Sequence, residues 1–171
     1  MKNKNLLLTF LTSLFSLVLI VPMFLDIFGY AYKTAITTSG RGFKIFSDYE
    51  ILQTLNPDFN SLWSVVFDIC LIVGLVLAGL WLIALILELL NVKLNYGLVK
   101  KWLGIAFVVL FVVALVSGIL FMALNGKETQ TTTLSITAQA GFYVALASMF
   151  VSGVVGFLAS AGYKKAKRKR K

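Results

Sequence analysis

In a chain of 171 residues, 59% are hydrophobic and only 13% charged. A soluble domain of this size is roughly 45–50% apolar and about 25% charged, so the composition points to the membrane class. The net charge of +9 is concentrated at the chain ends. Histidine is absent and there is a single cysteine, Cys70. That excludes an internal disulfide and a Cys-rich zinc site, and removes the commonest general base and metal ligand. No phosphate-binding G-x-x-x-x-G-K, no G-x-G-x-x-G and no nucleophile elbow occurs. No cofactor or metal is expected, and the reading is of a non-enzymatic protein.

A helix needs about 20 apolar residues to cross the ~30 Å hydrocarbon core of a bilayer. Four stretches qualify. The predicted fold is an all-α membrane fold, a four-transmembrane-helix bundle with a small extracellular β-containing cap made of a hairpin and a short helix. Residues 1–171 form one four-span domain. The first span is placed at 6–28, uncharged from Leu6 to Leu25. Its run is longer than the ~7–15-residue core of a secretory signal, so an uncleaved helix is expected. Pro22 has no N–H for the Val18 carbonyl and predicts a kink.

The first outer loop, 29–60, is longer than a plain connection requires. "YKTAITT" has strand character, "SGRG" reads as a turn and "FKIF" alternates after it, which together predict a β-hairpin. Ser47 and Glu50 form the S-x-x-E pattern of a capping box, predicting a short helix from Asp48 to Leu55 that Asn56-Pro57 stops. Asn60 or Ser61 can cap the second span, placed at 61–90. A short inner loop, 91–101, carries Lys93, Lys100 and Lys101. The third span is 102–124. The second outer loop, 125–136, is Thr-rich and favours a strand that can join the hairpin in one sheet. The fourth span is 137–162, and a basic tail fills 163–171.

This layout of four spans, a large first outer loop and a strand-prone second loop resembles the claudin type of membrane protein. That family's first loop carries Trp, Gly-Leu-Trp and two cysteines. Ser61-Leu62-Trp63 is the echo of it here, and the cysteines are missing. The resemblance is one of layout, and no function or residue is carried over from it.

With both termini inside, twelve Lys and Arg lie on the inner side. Lys33, Arg41, Lys44 and Lys127 are the four outside. The positive-inside bias therefore places both termini in the cytoplasm. Tyr30, Tyr32 and Trp63 are expected at the outer boundary, and Tyr96, Trp102 and Tyr163 at the inner one. The excess of Lys over Arg, with abundant Asn, Ile and Phe, fits an AT-rich bacterial genome and hence a bacterial plasma membrane. Lys164, Lys165, Lys167, Arg168, Lys169, Arg170 and Lys171 are expected to lie at anionic headgroups, about 1 kcal/mol each. Nucleic acid is not expected, because no aromatic or folded platform accompanies these charges.

Within the spans, Gly141, Ala145, Ser148, Ser152 and Gly156, extended by Ala138 and Ala159, recur at steps of three or four. This small-residue stripe suits close helix packing. Gly74, Ala78, Gly79, Ser117 and Gly118 are candidate counterparts, and Trp81 is read as a packing residue. Three acids touch the apolar runs. Glu88 is expected to pair with Lys93 or Lys100 near the inner boundary. Asp26 and Asp68 fall at similar depth near the outer one. They are a candidate cation or proton site; alternatively Asp68 bonds to the outer-loop backbone or to Lys33, Arg41 or Lys44, or the acids simply snorkel to water.

The expected function is that of a scaffold, accessory or adhesion-type subunit. It would bind partners through its outer loops and small-residue helix faces, with Phe43, Phe46, Tyr49 and Phe59 as candidate contacts; alternatively these aromatics cover the bilayer surface or pack the cap. The alternative is an oligomeric channel or transporter subunit with an acidic outer site. Expected partners are membrane lipids together with a membrane protein or further copies of the chain.

Overall fold

The computed structural model describes residues 2–47, 49–129 and 131–168, without the side chains of 2–5 and 162–168. The chain is mostly helical. Helix α1 (Lys2–Leu17) runs into a 3-10 helix (Val18–Met23), followed by strands β1 (Phe28–Thr34) and β2 (Thr38–Phe43). Then come α2 (Glu50–Leu55), α3 (Leu62–Leu89), α4 (Tyr96–Asn125), β3 (Lys127–Glu128), β4 (Thr132–Ala138) and α5 (Ala140–Arg168). Among the described residues, four helical stretches are long and apolar enough to cross a membrane: Leu6–Met23, Leu62–Leu89, Tyr96–Asn125 and Ala140–Ala161.

Two compact units share these helices. The first comprises Met1–Leu19, Ile72–Val112 and Ala147–Lys171. It is helical, and its buried positions follow helical stripes. On α3 these are Ala78, Trp81, Leu85 and Glu88; on α4 they are Tyr96, Lys100, Leu103 and Phe107. On α1 the buried stripe is hydroxyl-rich: Thr9, Thr12, Ser13 and Ser16. Three of these hydroxyls donate to carbonyls of their own helix, Thr12 to Leu8, Ser13 to Thr9 and Ser16 to Ser13, at 2.8–3.1 Å. Serine and threonine can thus be buried in an apolar bundle without orphaned donors. Two residues beyond the end of α3, Asn91 adopts a left-handed φ of 56°. The Val92 N–H reaches the Leu87 carbonyl and the Asn91 N–H reaches that of Glu88, the pattern of a Schellman cap.

The second unit comprises Ile20–Leu71 and Val113–Leu146. Its sheet has the order β2-β1-β4-β3, with every pairing antiparallel. The Thr-rich segment therefore joins the hairpin, as its composition suggests. The sheet rests on phenylalanines. Phe28 contacts Phe67 of α3, Phe121 of α4 and Phe142 of α5, with ring centroids 4.6–5.6 Å apart. Alternation sends Phe28, Leu134 and Ile136 to the buried side.

Several local expectations are corrected. Helical structure stops at Met23, and Phe28 is a strand residue, not the end of a span. Pro22 acts as its chemistry requires, but the response is a switch to 3-10 geometry from Val18 onward. The hairpin turn is Thr34–Thr37, not "SGRG". Thr34 Oγ1 accepts the N–H groups of Ile36 and Thr37, which closes the turn without glycine. Gly40 and Gly42 instead lie in β2, where space is short: a Cβ on Gly40 would sit 2.8 Å from the Tyr30 carbonyl oxygen, and one on Gly42 would overlap the Asp26 carboxylate. Of "FKIF", Phe43 alone is in the strand.

The capping box does not form. The N-cap of α2 is Tyr49, which makes no side-chain cap, and Ser47 Oγ donates to the Lys44 carbonyl. Asp48, the expected first residue of this helix, lies outside the described residues. Asn60 Oδ1 does cap α3, accepting the Leu62 N–H at 2.8 Å. Helix α4 starts at Tyr96, so Lys100 and Lys101 are helical and not loop residues. Ala138 closes β4 opposite Phe28 and is not part of the α5 stripe.

Candidate functional site

Two polar centres stand out, one in each unit. In the first, Lys100 is fully buried. Its Nζ donates to Glu88 Oε2 and to Thr9 Oγ1, each at 2.5 Å, and lies 5.8 Å from the centre of the Tyr96 ring. The centre joins α1, α3 and α4. Of the two lysines expected as partners of Glu88, Lys93 and Lys100, it is Lys100 that pairs with it; Thr9 and the complete burial are additions that the sequence reading does not contain. The signal was present in the spacing, because Tyr96, Lys100, Leu103 and Phe107 form one stripe at steps of four, three and four. A lysine on such a stripe points inward.

In the second unit the centre is Asp68, on the buried stripe of α3 with Ser64, Phe67 and Leu71. Asp68 Oδ2 accepts the Phe46 N–H at 2.9 Å. Phe46 adopts a left-handed φ of 51°, a conformation that costs a bulky residue energy and persists where its surroundings hold it. The Tyr49 ring packs between Phe43, Phe59 and Phe121. Burial pushes its phenol up to about 12, with the Ser64 hydrogen bond opposing and the Asp68 charge reinforcing the shift.

Asp26 is exposed, at the entry to β1. Its carboxylate lies against Gly42, and its carbonyl accepts the Gly141 N–H at 2.9 Å. Among the described residues no group of three or more His, Cys, Asp or Glu is placed to hold a metal ion. A third polar knot was not foreseen. Asn125 exchanges hydrogen bonds with Asn60, Nδ2 to carbonyl at 2.9 Å and backbone N–H to Oδ1 at 2.7 Å, and so ties the end of α4 to the start of α3.

Of the small-residue stripe, Ala145, Ser148 and Ser152 are buried, and Gly141 and Gly156 face close neighbours. A Cβ on Gly156 would lie 2.7 Å from the Trp81 ring, and one on Gly141 would lie 2.8 Å from the Asp26 carbonyl oxygen. Gly74 faces Leu19 and Met149, Gly118 faces the Phe142 ring, and Gly79 faces open space. Another close helix approach involves glycines that the stripe omits. A Cβ on Gly104 would be 2.9 Å from the Phe157 nitrogen, and one on Gly153 would be 3.1 Å from the Val108 nitrogen. Phe43 and Tyr49 are buried and Phe59 is half-buried, so Phe46 is the exposed member of that aromatic set. Lys164, Lys165, Lys167 and Arg168 lie on the α5 backbone with side chains outside the description; Lys169, Arg170 and Lys171 lie outside the described residues.

The chain matches no protein-family model and no curated protein.

Proposed function

We propose that the protein is a four-span integral membrane protein of the plasma membrane, both termini cytoplasmic, that serves as a non-enzymatic scaffold or accessory subunit. Its outer sheet is the partner-binding element. The observation that carries this reading is the build of the sheet. Both long connections contribute strands, and the buried face is locked to three helices through Phe28. By alternation the opposite face carries Gly29, Ala31 and Lys33 beside Thr133, Ser135 and Thr137. Away from Gly29, which the Gln139 side chain covers, that face is low in charge and made of small side chains, and suits close apposition of another protein surface. The prominent buried polar groups support the same reading, because Asp68, Glu88, Lys100 and Asn125 all engage protein atoms.

The test is purification of the full chain in mild detergent, measuring the mass of the particle and identifying any second protein. The reading expects a stoichiometric membrane-protein partner that is lost in Ala31→Arg and Ser135→Arg variants whose own melting is unchanged. A partner-free homo-oligomer that conducts cations in liposomes would overturn it in favour of a channel.

A further inference from the structure

Phe46 is held in a left-handed backbone conformation by a buried carboxylate, yet the residue is 58% exposed. A fold that spends backbone strain on presenting a large apolar ring to its surroundings calls for something to receive that ring. The position of the latch identifies the receiver. Asp68 lies six residues beyond Leu62, the first residue of α3, and so about 9 Å along the helix from its start. The polar layer on each side of a bilayer is roughly 5–8 Å deep. Where α3 enters the membrane at Leu62, the Phe46 N–H, 2.9 Å from Asp68 Oδ2, is level with the boundary between headgroups and hydrocarbon. Val65 and Ile69, which flank that level on α3, are exposed apolar residues as lipid contact requires. Lys44, two residues before Phe46, is exposed and long enough to reach a headgroup phosphate while its stem stays in apolar surroundings.

We infer that the loop carrying Lys44 and Phe46 is a membrane-interface anchor. Phe46 inserts its ring among the outermost acyl carbons of the outer leaflet, and Asp68 is the latch that holds it there. The inference rests on the four-span reading and goes beyond it, since it assigns the underside of the cap to lipid and leaves the sheet free for a partner.

The test uses the full chain in vesicles of phosphatidylcholine and phosphatidylglycerol whose acyl chains are brominated near the headgroup or deep in the chain. An environment-sensitive fluorophore is attached in turn to Phe46→Cys, to Val109→Cys in mid-α4 and to Ile36→Cys at the hairpin tip. The native Cys70 is buried. Because Phe46→Cys can loosen the loop, a Phe46→Trp variant, read as a difference from the wild-type emission, supplies a second probe that keeps an aromatic ring. The expected result is loss of emission at Phe46 chiefly with the shallow bromines, loss at Val109 with the deep ones, and none at Ile36. Quenching at Val109 with none at Phe46 overturns the anchor and leaves the four-span reading standing. No quenching at Val109 overturns both. A Phe46 probe shielded from bromines and from an aqueous quencher alike also overturns the anchor, and makes Phe46 a protein contact.

Discussion

The Lys100 ammonium lies 2.5 Å from the Glu88 carboxylate in a site closed to solvent, tying α4 to α3 twelve residues back along the chain. Two charges taken out of water are stable together and costly apart. Removing one partner of such a pair typically destabilises by about 3–5 kcal/mol, whereas replacing both by apolar groups of similar volume is often neutral or better. Lys100→Met and Glu88→Leu should therefore each lower the melting temperature in detergent, with loss of monodisperse protein. The double variant should recover most of that loss. A double variant as unstable as the worse single one would show that the ion pair is not the unit that matters. Thr9→Val should have a smaller effect, because the Glu88 bond to Lys100 remains.

Asp68 separates a structural latch from an ion site. Asparagine keeps an oxygen that can accept the Phe46 N–H, so Asp68→Asn should preserve the loop. Asp68→Leu leaves that N–H without its acceptor, at a cost of about 1–3 kcal/mol where the group stays shielded from water. Limited proteolysis of the segment around Phe46 should be faster in Asp68→Leu and close to wild type in Asp68→Asn. A cation-conducting role predicts the reverse sensitivity, with flux through liposomes lost on neutralisation alone.

What was legible in the sequence follows from which physical signal was unambiguous. Long apolar runs identified the helices, and the Thr-rich stretch near Leu134 identified the added strand. Boundaries were less legible because an apolar residue suits a lipid-facing helix and a strand packed on phenylalanine alike. Phe28 and Ala138 are the two cases, and they pair with each other in the sheet. The hairpin turn was misplaced because glycine signals both turns and close packing. Gly40 and Gly42 serve the second role, while threonine hydroxyls close the turn. The polar centres were half legible. Charge complementarity suggested Glu88 with Lys93 or Lys100, but the burial of Lys100 follows from a helical stripe that begins at Tyr96, upstream of the apolar run.

Glycine and serine on the helices make opposite predictions although both are small. Gly104 faces backbone, with the Phe157 nitrogen 2.9 Å and the Gly153 carbonyl oxygen 3.2 Å from where a Cβ would be. Backbone cannot rotate away, so Gly104→Ala should separate α4 from α5 locally and destabilise by about 1–3 kcal/mol. Ser152 is fully buried, and its hydroxyl makes no hydrogen bond within the described structure. Removing a buried unpaired hydroxyl costs little or stabilises. Ser152→Ala should melt at or above the wild-type temperature, and a clear drop would mean that the hydroxyl has a partner.

Tyr49 supplies a pH signature for the cap. Its folded phenol is pushed from 10.0 up to about 12, mainly by burial. A group whose folded value is raised contributes stability that is complete below its unfolded value and lost as pH climbs through the folded one. The cap should accordingly be unaffected by Tyr49 up to about pH 10 and should lose stability between there and pH 12. Tyrosinate absorbance during alkaline titration should show a late-ionising phenol that coincides with cap unfolding. Tyr49→Phe should remove that late step and flatten the stability loss over the same window. A late step that survives the substitution would assign the buried phenol elsewhere.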